Sequence, residues 1–171
     1  DKKVRMPENE ITGEWFLKTH QLMESNGYPS YEISNFSQPE FECRHNLHYW
    51  KIHPYLAFGP SAHGFDGTNR WNNSRSLDLF LQQIESGDSP ISIIETLTEK
   101  DKLNELIGFG LRMNDGIDLK KIPEIFQTQF EENLKIIEKK WEGCFIKNEK
   151  SISRTKAGMV FGDAIGVDLM F

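Results

Sequence analysis

Four of the five histidines in this chain, and one of its two cysteines, lie between Gly27 and Phe65. Within that segment the hexapeptide HNLHYW, residues 45–50, places imidazole, carboxamide and large aromatic groups side by side. A core strand has apolar residues at every second position and a core helix has them at i, i+3 and i+4, so the mixture fits neither. These groups together suit a pocket for a large planar or charged ligand. We therefore predict a ligand site at HNLHYW.

The histidines also raise the question of metal binding. His45 and His48 are three residues apart and would share a helical face, with Cys43 or His53 as a further ligand. Closed zinc sites usually show CxxC or HxxxH pairs at regular spacing, so zinc is not favoured. Haem iron needs only one or two axial ligands, which one exposed imidazole would supply. Surface exposure is the favoured interpretation of His48 and His53, whereas the adjacent pair His45-Asn46 is interpreted as functional.

Two neighbouring segments contribute further polar groups. FGPSAHG, residues 58–64, places Gly59 and His63 after a predicted strand, where a glycine turn lets backbone amides approach an anion. A tight turn at the end of a strand, with no ligand bound, explains the same residues equally well. Arg70 could bind a ligand carboxylate through both arms of its guanidinium, or stack on Trp71 at the surface. All three residues are retained as candidate pocket residues.

The composition excludes several classes of function. A net charge of −6 disfavours a general binder of nucleic acid or of anionic membranes. The sequence has no apolar run of the roughly 18 residues that span a bilayer and no signal-peptide core, which predicts a cytoplasmic protein. Two cysteines about a hundred positions apart predict neither a disulfide framework nor a CxxC site. The chain opens at Asp1 in a helical pattern, so we expect a fragment of a longer protein.

Periodicity and turn residues place the candidate site on an α/β unit. Thr12 is a possible N-cap of the first helix and Gly27 its end. A helix is predicted over residues 8–26, followed by short strands over 31–34 and 55–58 with a helical turn at HNLHYW between them. A hairpin over 65–72 that turns at 66–68 comes next. A second helix is predicted from Ser76 to Gly87, with an apolar face of Leu77, Phe80, Leu81 and Ile84. One helix and its strand need neighbouring strands that this chain barely supplies.

The rest of the chain predicts a separate helical domain. Thr98 and Asp101 have the spacing of a capping box that begins a helix ending before Gly116. A short helix over 118–126, a longer one through Phe130 and Trp141, a hairpin over 144–153 and a last helix from Thr155 follow. Helices followed by a two-stranded wing are typical of a winged-helix domain. The longer helix mixes glutamates with lysines, so it has no basic face for DNA.

The segments GYPSYEISNFSQPEFECRHNLHYW and YLAFGPSAHG resemble the signature region of HemW-type proteins. These are haem chaperones closely related to oxygen-independent coproporphyrinogen III oxidase, in the radical S-adenosylmethionine (SAM) superfamily. The pattern HN-x-x-YW, matched by His45, Asn46, Tyr49 and Trp50, marks the HemW branch. The resemblance implies an α+β chain: the C-terminal end of a partial (β/α) radical SAM barrel over residues 1–93, then a mostly helical, winged-helix-like C-terminal domain over residues 94–171.

The resemblance also implies what the chain binds. The parent would hold a [4Fe–4S] cluster on three thiolates, S-adenosylmethionine and haem, and would bind haem or porphyrin for delivery to an accepting protein. Only Cys43 and Cys144 are present here, so we expect this fragment to lack the cluster and to be inactive, with haem binding possible and His45 a possible axial ligand. By position Tyr49, Trp50 and His63 correspond to residues that contact a second S-adenosylmethionine in the oxidase.

The resemblance leaves alternatives open. The oxidase branch, which decarboxylates propionates through a SAM-derived radical, carries different residue types at those positions, so haem binding is favoured over oxidation. A non-catalytic protein-interaction module is a further alternative. Glu32, on the predicted strand YEIS, is either an acid inside the barrel or a partner of an arginine.

Overall fold

The computed structural model describes residues 8–171, apart from the side chain of Asn9. Its helices and strands in chain order are α1 (Asn9–Ser25), α2 (Arg44–Trp50), β1 (His63–Phe65), β2 (Asn69–Asn73), α3 (Leu77–Ser86), β3 (Ile91–Thr96), α4 (Glu99–Arg112), β4 (Ile117–Asp118), α5 (Glu124–Lys140), β5 (Phe145–Lys147), β6 (Ser151–Arg154) and α6 (Gly162–Leu169). This mixture of helices with two small sheets confirms the α+β class.

The first predicted helix is confirmed, but its predicted cap is wrong. Thr12 lies inside α1, where its hydroxyl donates to the Glu8 carbonyl instead of accepting a backbone N–H. Glu8 is the N-cap and makes no side-chain cap bond. Gly27, with φ of 82°, follows the C-cap residue Asn26 and turns the chain away from the helix, as predicted.

The two short strands predicted before residue 60 do not form. The YEIS segment folds back on itself, because Ser30 bridges to Phe36 and the Tyr31 amide donates to the Asn35 carbonyl. Its only other ladder contact is a single bridge from Glu32 to Met113. Residues 55–58 likewise make one bridge, from Tyr55 to Phe65. A segment that turns within six residues cannot extend along a neighbouring strand, so the partial barrel stays a prediction.

A three-stranded antiparallel sheet, ordered β1-β2-β3, forms the middle of the chain. Its β1–β2 hairpin is confirmed: the Asp66 carboxylate accepts from the amides of Thr68 and Asn69 at 2.8 and 2.6 Å and closes the turn. Gly64 is required because a Cβ there would lie 2.3 Å from the Trp71 ring, its cross-strand neighbour. Strand β3 was not predicted, and it spans the predicted domain boundary at residues 93/94.

Helices α3 and α4 begin and end where the sequence predicts. The Ser76 hydroxyl accepts from the Leu79 amide, and Gly87 ends α3 in the left-handed region. In α4 the Thr98 hydroxyl accepts from the Asp101 amide while the Asp101 carboxylate accepts from the Thr98 amide, which completes the capping box. The box fixes where the main core helix starts.

The C-terminal part combines α4, α5 and α6 with a second antiparallel sheet, ordered β4-β6-β5. The predicted hairpin is confirmed, and β4 adds a third strand. The two helices predicted over 118–141 form one α-helix, α5, after a 3₁₀ turn at Leu119–Lys121. The last predicted helix is a 3₁₀ turn at Ala157–Phe161 followed by α6. The winged-helix description stays a prediction.

One apolar core lies between these three helices and the second sheet. Its fully or nearly fully buried members are Leu103, Ile107, Leu111, Ile117, Ile122, Phe130, Leu134, Ile137, Ile152, Ile165 and Leu169. Each such side chain removed from water contributes roughly 1.5–3 kcal/mol, so this core supplies most of the apolar stabilisation. It provides the fixed base against which the candidate site is held.

Other apolar faces stay exposed. The predicted apolar face of α3 is correct in its spacing, but Leu77, Leu81 and Ile84 all remain exposed. Ile93 and Ile94 on β3 are also exposed, at 61% and 65%. Periodicity therefore located the helix without determining what covers it. None of the helices in residues 8–171 combines the length and apolarity needed to cross a bilayer.

We predict that Thr98→Ala lowers the free energy of unfolding by about 1 kcal/mol, because it removes the cap of the core helix. Urea unfolding followed by circular dichroism measures the change. Thr12→Ala is the matched control, since that hydroxyl caps no amide, and its effect should be much smaller. Equal losses in the two variants would contradict the capping assignment.

Candidate functional site

HNLHYW forms most of a seven-residue helix, α2, that local preference alone would not hold. Its N-cap, Cys43, makes no side-chain cap bond. Ile52 ends the helix with φ of 57°, a left-handed conformation that is unfavourable for a β-branched residue. Helices of this length are marginal in isolation. Tertiary contacts must therefore fix α2 in place.

One face of α2 is anchored to the rest of the molecule. The Asn46 side-chain amide donates to the Tyr31 hydroxyl at 3.2 Å. The Trp50 ring packs edge-on against Phe109 of α4, with centroids 5.5 Å apart, and the Arg112 guanidinium lies 4.8 Å from the Trp50 centroid. Of the predicted site residues, Asn46 and Trp50 thus serve in this structure as attachments of the helix. The indole Nε1 of Trp50 is buried and has no partner among the described residues.

The other face of α2 is open to solvent. His45 and Tyr49, one helical turn apart, are both exposed, and their rings meet edge-to-face at 4.9 Å. The Tyr49 ring contacts the Tyr55 ring, with centroids 4.6 Å apart, and the Tyr55 centroid lies 6.1 Å from that of Phe65 in β1. The result is a row of rings that starts at an exposed imidazole and ends in the first sheet. We name the exposed His45, Tyr49 and the adjoining Tyr55 the imidazole–tyrosine face.

The two remaining histidines near α2 occupy the far end of the helix. The His48 ring donates through Nε2 to the Pro54 carbonyl at 2.7 Å, and His53 packs edge-on against His48 at 5.1 Å. His48 therefore closes the loop that follows α2. His45 makes no hydrogen bond to any residue in the described part of the chain, so both of its ring nitrogens are available.

The glycine turn lies away from α2. Gly59 adopts φ of 91° and its carbonyl accepts from the buried Asn73 side chain at 2.9 Å. The amides of Ser61 and Ala62, which a cradle would offer to an anion, donate instead to the Ser74 and Gly59 carbonyls. His63 is exposed on β1 opposite Asn72. Among the described residues, no hydrogen bond or ring pair joins Gly59 or His63 to the imidazole–tyrosine face.

Arg70 joins the first sheet to the core helix. Its terminal nitrogens donate to both oxygens of Glu105 on α4, at 2.7 and 3.1 Å, and its guanidinium lies 5.3 Å from the Phe65 ring centroid. The hydrogen bonds that Arg70 donates to Glu105 raise the pKa of Arg70. Any ligand carboxylate would have to compete with a bidentate pair already formed.

Glu32 is an arginine partner. Its side chain is fully buried, and one oxygen accepts from the Ser34 amide at 2.8 Å and from the Asn35 side chain at 2.5 Å. The other oxygen lies 3.5 Å from Arg112. The same guanidinium also covers Trp50, so this pair links the YEIS loop, α2 and α4. The structure selects the arginine-partner alternative.

Metal ligands do not converge in the part of the chain that the structure describes. No group of three or more His, Cys, Asp or Glu side chains there is close enough to hold a metal ion. Cys43, exposed, and Cys144, half-buried, are both free. The sequence as a whole contains only these two thiols, which do not fit a cluster held by three thiolates.

Sequence reasoning missed four residues that position the site: Tyr31, Tyr55, Phe109 and Arg112. Each contacts a signature residue across 6 to 62 positions of sequence, as the pairs Tyr49–Tyr55 and Trp50–Arg112 show. The aromatic residues carried a weak signal in their abundance near HNLHYW. Arg112 carried none, because a cation in the last turn of a helix is expected for the helix dipole alone.

We predict that Glu32→Ala lowers the free energy of unfolding by roughly 3 kcal/mol, since it leaves Arg112 and two partly buried donors without their acceptor. Asp163→Ala removes the other carboxylate near Arg112, at 3.7 Å and largely exposed, and should have little effect. Urea unfolding measures both variants. A larger loss for Asp163→Ala would contradict the assigned role of Glu32.

We predict a pH dependence from His20, whose pKa is lowered from its usual 6.5, chiefly by burial. The folded state then binds fewer protons than the unfolded state, so this contribution to stability is complete above pH 6.5 and declines as the pH falls below it. His20→Gln keeps a donor for the Ile33 carbonyl but does not titrate. Between pH 7 and 5.5 the variant should lose less stability than the wild type in urea unfolding; identical slopes would contradict the prediction.

Comparison with known proteins connects this geometry to a family. The model of the HemN C-terminal domain matches residues 97–161, which begin directly after β3. The haem chaperone HemW of Bacillus subtilis is 28% identical over 167 residues, covering 95% of this chain and 44% of that protein. The mitochondrial radical S-adenosyl methionine domain-containing protein 1 of Danio rerio is 31% identical over 123 residues, covering 67% of this chain and 28% of that protein.

The fold agrees with that of a solved relative. Coproporphyrinogen III oxidase (HemN) of Escherichia coli, a radical SAM enzyme, superposes with a TM-score of 0.75 over 99% of this chain and 43% of that one. At 19% identity the match shows a shared fold. The chain spans less than half the length of these relatives. On these matches residues 97–161 carry the HemN C-terminal domain, and the chain is similar over nearly its whole length to HemW-type radical SAM proteins.

Proposed function

We propose that the imidazole–tyrosine face contributes to a haem- or porphyrin-binding surface of a HemW-type protein. The observation that carries the proposal is the exposed His45 ring, which has no hydrogen-bond partner in the described chain, beside exposed Tyr49 on a helix whose opposite face is fixed. Relatives that cover most of this chain bear the name haem chaperone HemW. Their name supports haem as the ligand class.

The face suits a flat macrocycle for two physical reasons. Aromatic rings offer stacking area to a porphyrin, and a neutral imidazole supplies a nitrogen donor for haem iron at the edge of that area. The contacts of Asn46 and Trp50 hold α2 before any ligand arrives, so little ordering entropy is lost on binding. When bound, haem would supply the iron for that nitrogen. The chain's residues would supply the ligand atom and the apolar platform.

The oxidase and interaction-module alternatives are less favoured. The likeness to HemN supports the shared fold, whereas the relatives in sequence from Bacillus subtilis and Lactococcus lactis are named haem chaperones. With two cysteines, these 171 residues cannot place three thiolates around a cluster, so any [4Fe–4S] cluster and its S-adenosylmethionine would belong to other residues of a parent protein. The proposal includes transfer of haem to an accepting protein in the cytoplasm, with Gly59, His63 and Arg70 retained as candidate pocket residues.

The test is a titration of the 171-residue chain with ferric haem, followed at the Soret band. Wild type should bind saturably, and His45→Ala should raise the dissociation constant at least tenfold with a changed Soret position, because the axial nitrogen is lost. Tyr49→Ala should weaken binding while leaving the Soret position of the bound form unchanged.

His53→Ala is the matched control, since His53 is also exposed and lies beyond the far end of α2. Its dissociation constant should stay within twofold of the wild-type value. Loss of binding in His53→Ala with wild-type behaviour in His45→Ala would overturn the assignment of the ligand. Absence of saturable binding by the wild-type chain would overturn the proposal as a whole.

A further inference from the structure

A second concave site lies on the far side of the YEIS loop from α2. It is a cleft of about 680 Å³ between α1, residues 29–30 and the residues that follow β6. Its apolar wall consists of Leu17, Pro29, Ala157 and Met159, and its polar lining of His20, Gln21, Glu24, Ser30, Asn114, Arg154, Thr155 and Lys156. We name it the α1 cleft. Its volume accommodates a small organic molecule.

Arg154 is an unusual residue for this position. Side chains of strand β6 alternate between partly buried and buried, and the buried ones are Ile152 and Arg154. The guanidinium of Arg154 therefore lies on the core-facing side of the strand, where an apolar side chain is expected. Only 8% of the Arg154 surface is exposed. Buried cations are normally paired with a carboxylate.

No carboxylate bonds to Arg154 within residues 8–171. Its terminal nitrogens donate to the Met113 carbonyl at 2.9 Å and to the Asn114 side-chain oxygen at 3.1 Å, both neutral acceptors. A guanidinium has five N–H donors, so three lack a partner, including the buried Nε. Burial accordingly lowers the pKa of Arg154 to about 10. Two neutral acceptors hold the group, and the charge of Glu32 acts on it through space without a hydrogen bond between them.

The nearby carboxylates are engaged elsewhere. Glu32 is held by the Ser34 amide, Asn35 and Arg112. Glu24 forms an exposed ion pair with Lys156 at 2.6 Å. His20 is kept neutral by its lowered pKa and adds no charge to the lining. Two cationic side chains, Lys156 and Arg154, therefore line the cleft, and among the described residues no carboxylate bonds to Arg154.

We propose that the α1 cleft binds a small organic carboxylate with an apolar body. The carboxylate would bind the free N–H groups of Arg154, and its apolar part would lie against Leu17, Pro29 and Met159. Lys156 also lines the cleft, but its charge is offset by its ion pair with Glu24. This site does not depend on haem binding, since α2 contributes no residue to its lining.

The experiment compares 4-phenylbutyrate with its neutral isostere 4-phenylbutyramide in NMR titrations of the ¹⁵N-labelled chain. The acid should give saturating shifts at the amides of residues 30 and 155–157, with at least tenfold tighter binding than the amide. Equal affinities would overturn the proposal, because the charge of Arg154 would then play no part. Absence of saturation by the acid would overturn it as well.

Two variants localise the site. Ala157→Phe places a ring at the cleft and should weaken acid binding at least tenfold, whereas Ala164→Phe, on an exposed position of α6 outside the lining, should stay within twofold. Arg154→Gln should abolish the preference for acid over amide, and its spectrum shows directly whether it is folded. Unchanged binding in Ala157→Phe would overturn the location, whether or not Arg154→Gln folds.

Discussion

The position of the signature helix depends on the guanidinium of Arg112. At the end of α4 it covers the Trp50 ring at 4.8 Å and lies 3.5 Å from the buried Glu32 carboxylate. A partly buried cation–π contact contributes on the order of 1 kcal/mol, and removing one partner of a buried ion pair costs several. This one side chain therefore contacts both α2 and the YEIS loop. The Asn46–Tyr31 hydrogen bond and the Trp50–Phe109 ring contact hold α2 from the same side.

The fixed and open faces of α2 have different roles. Asn46 and Trp50 attach the helix, which leaves His45 and Tyr49 facing solvent in a defined geometry. The signature HN-x-x-YW thus combines two attachments with two exposed groups at helical spacing. Under the proposed function, the exposed pair would contact the ligand and the attached pair would hold the helix in place.

Local chemistry predicted the elements well. Capping residues and glycines located α1, α3, α4 and the β1–β2 hairpin, because these signals act within a few residues of sequence. The two failures have separate causes. The predicted YEIS strand is a loop because the Glu32 carboxylate accepts hydrogen bonds from the Ser34 amide and the Asn35 side chain. Strand β3 was not predicted because its exposed isoleucines lack the apolar–polar alternation of a half-buried strand. A ligand site at HNLHYW was predicted from residue types, whereas the division of its residues into an exposed pair and an attached pair, and their support by Arg112, required the fold.

The most direct test of the central claim maps where a porphyrin contacts the chain. Gallium protoporphyrin IX, which is diamagnetic, would be added to the ¹⁵N-labelled 171-residue chain and the amide shifts followed. The account predicts the largest saturating changes at residues 45, 49 and 55, with smaller ones along α2. Changes centred instead on the α1 cleft or the second sheet, with residues 45–55 unaffected, would contradict it.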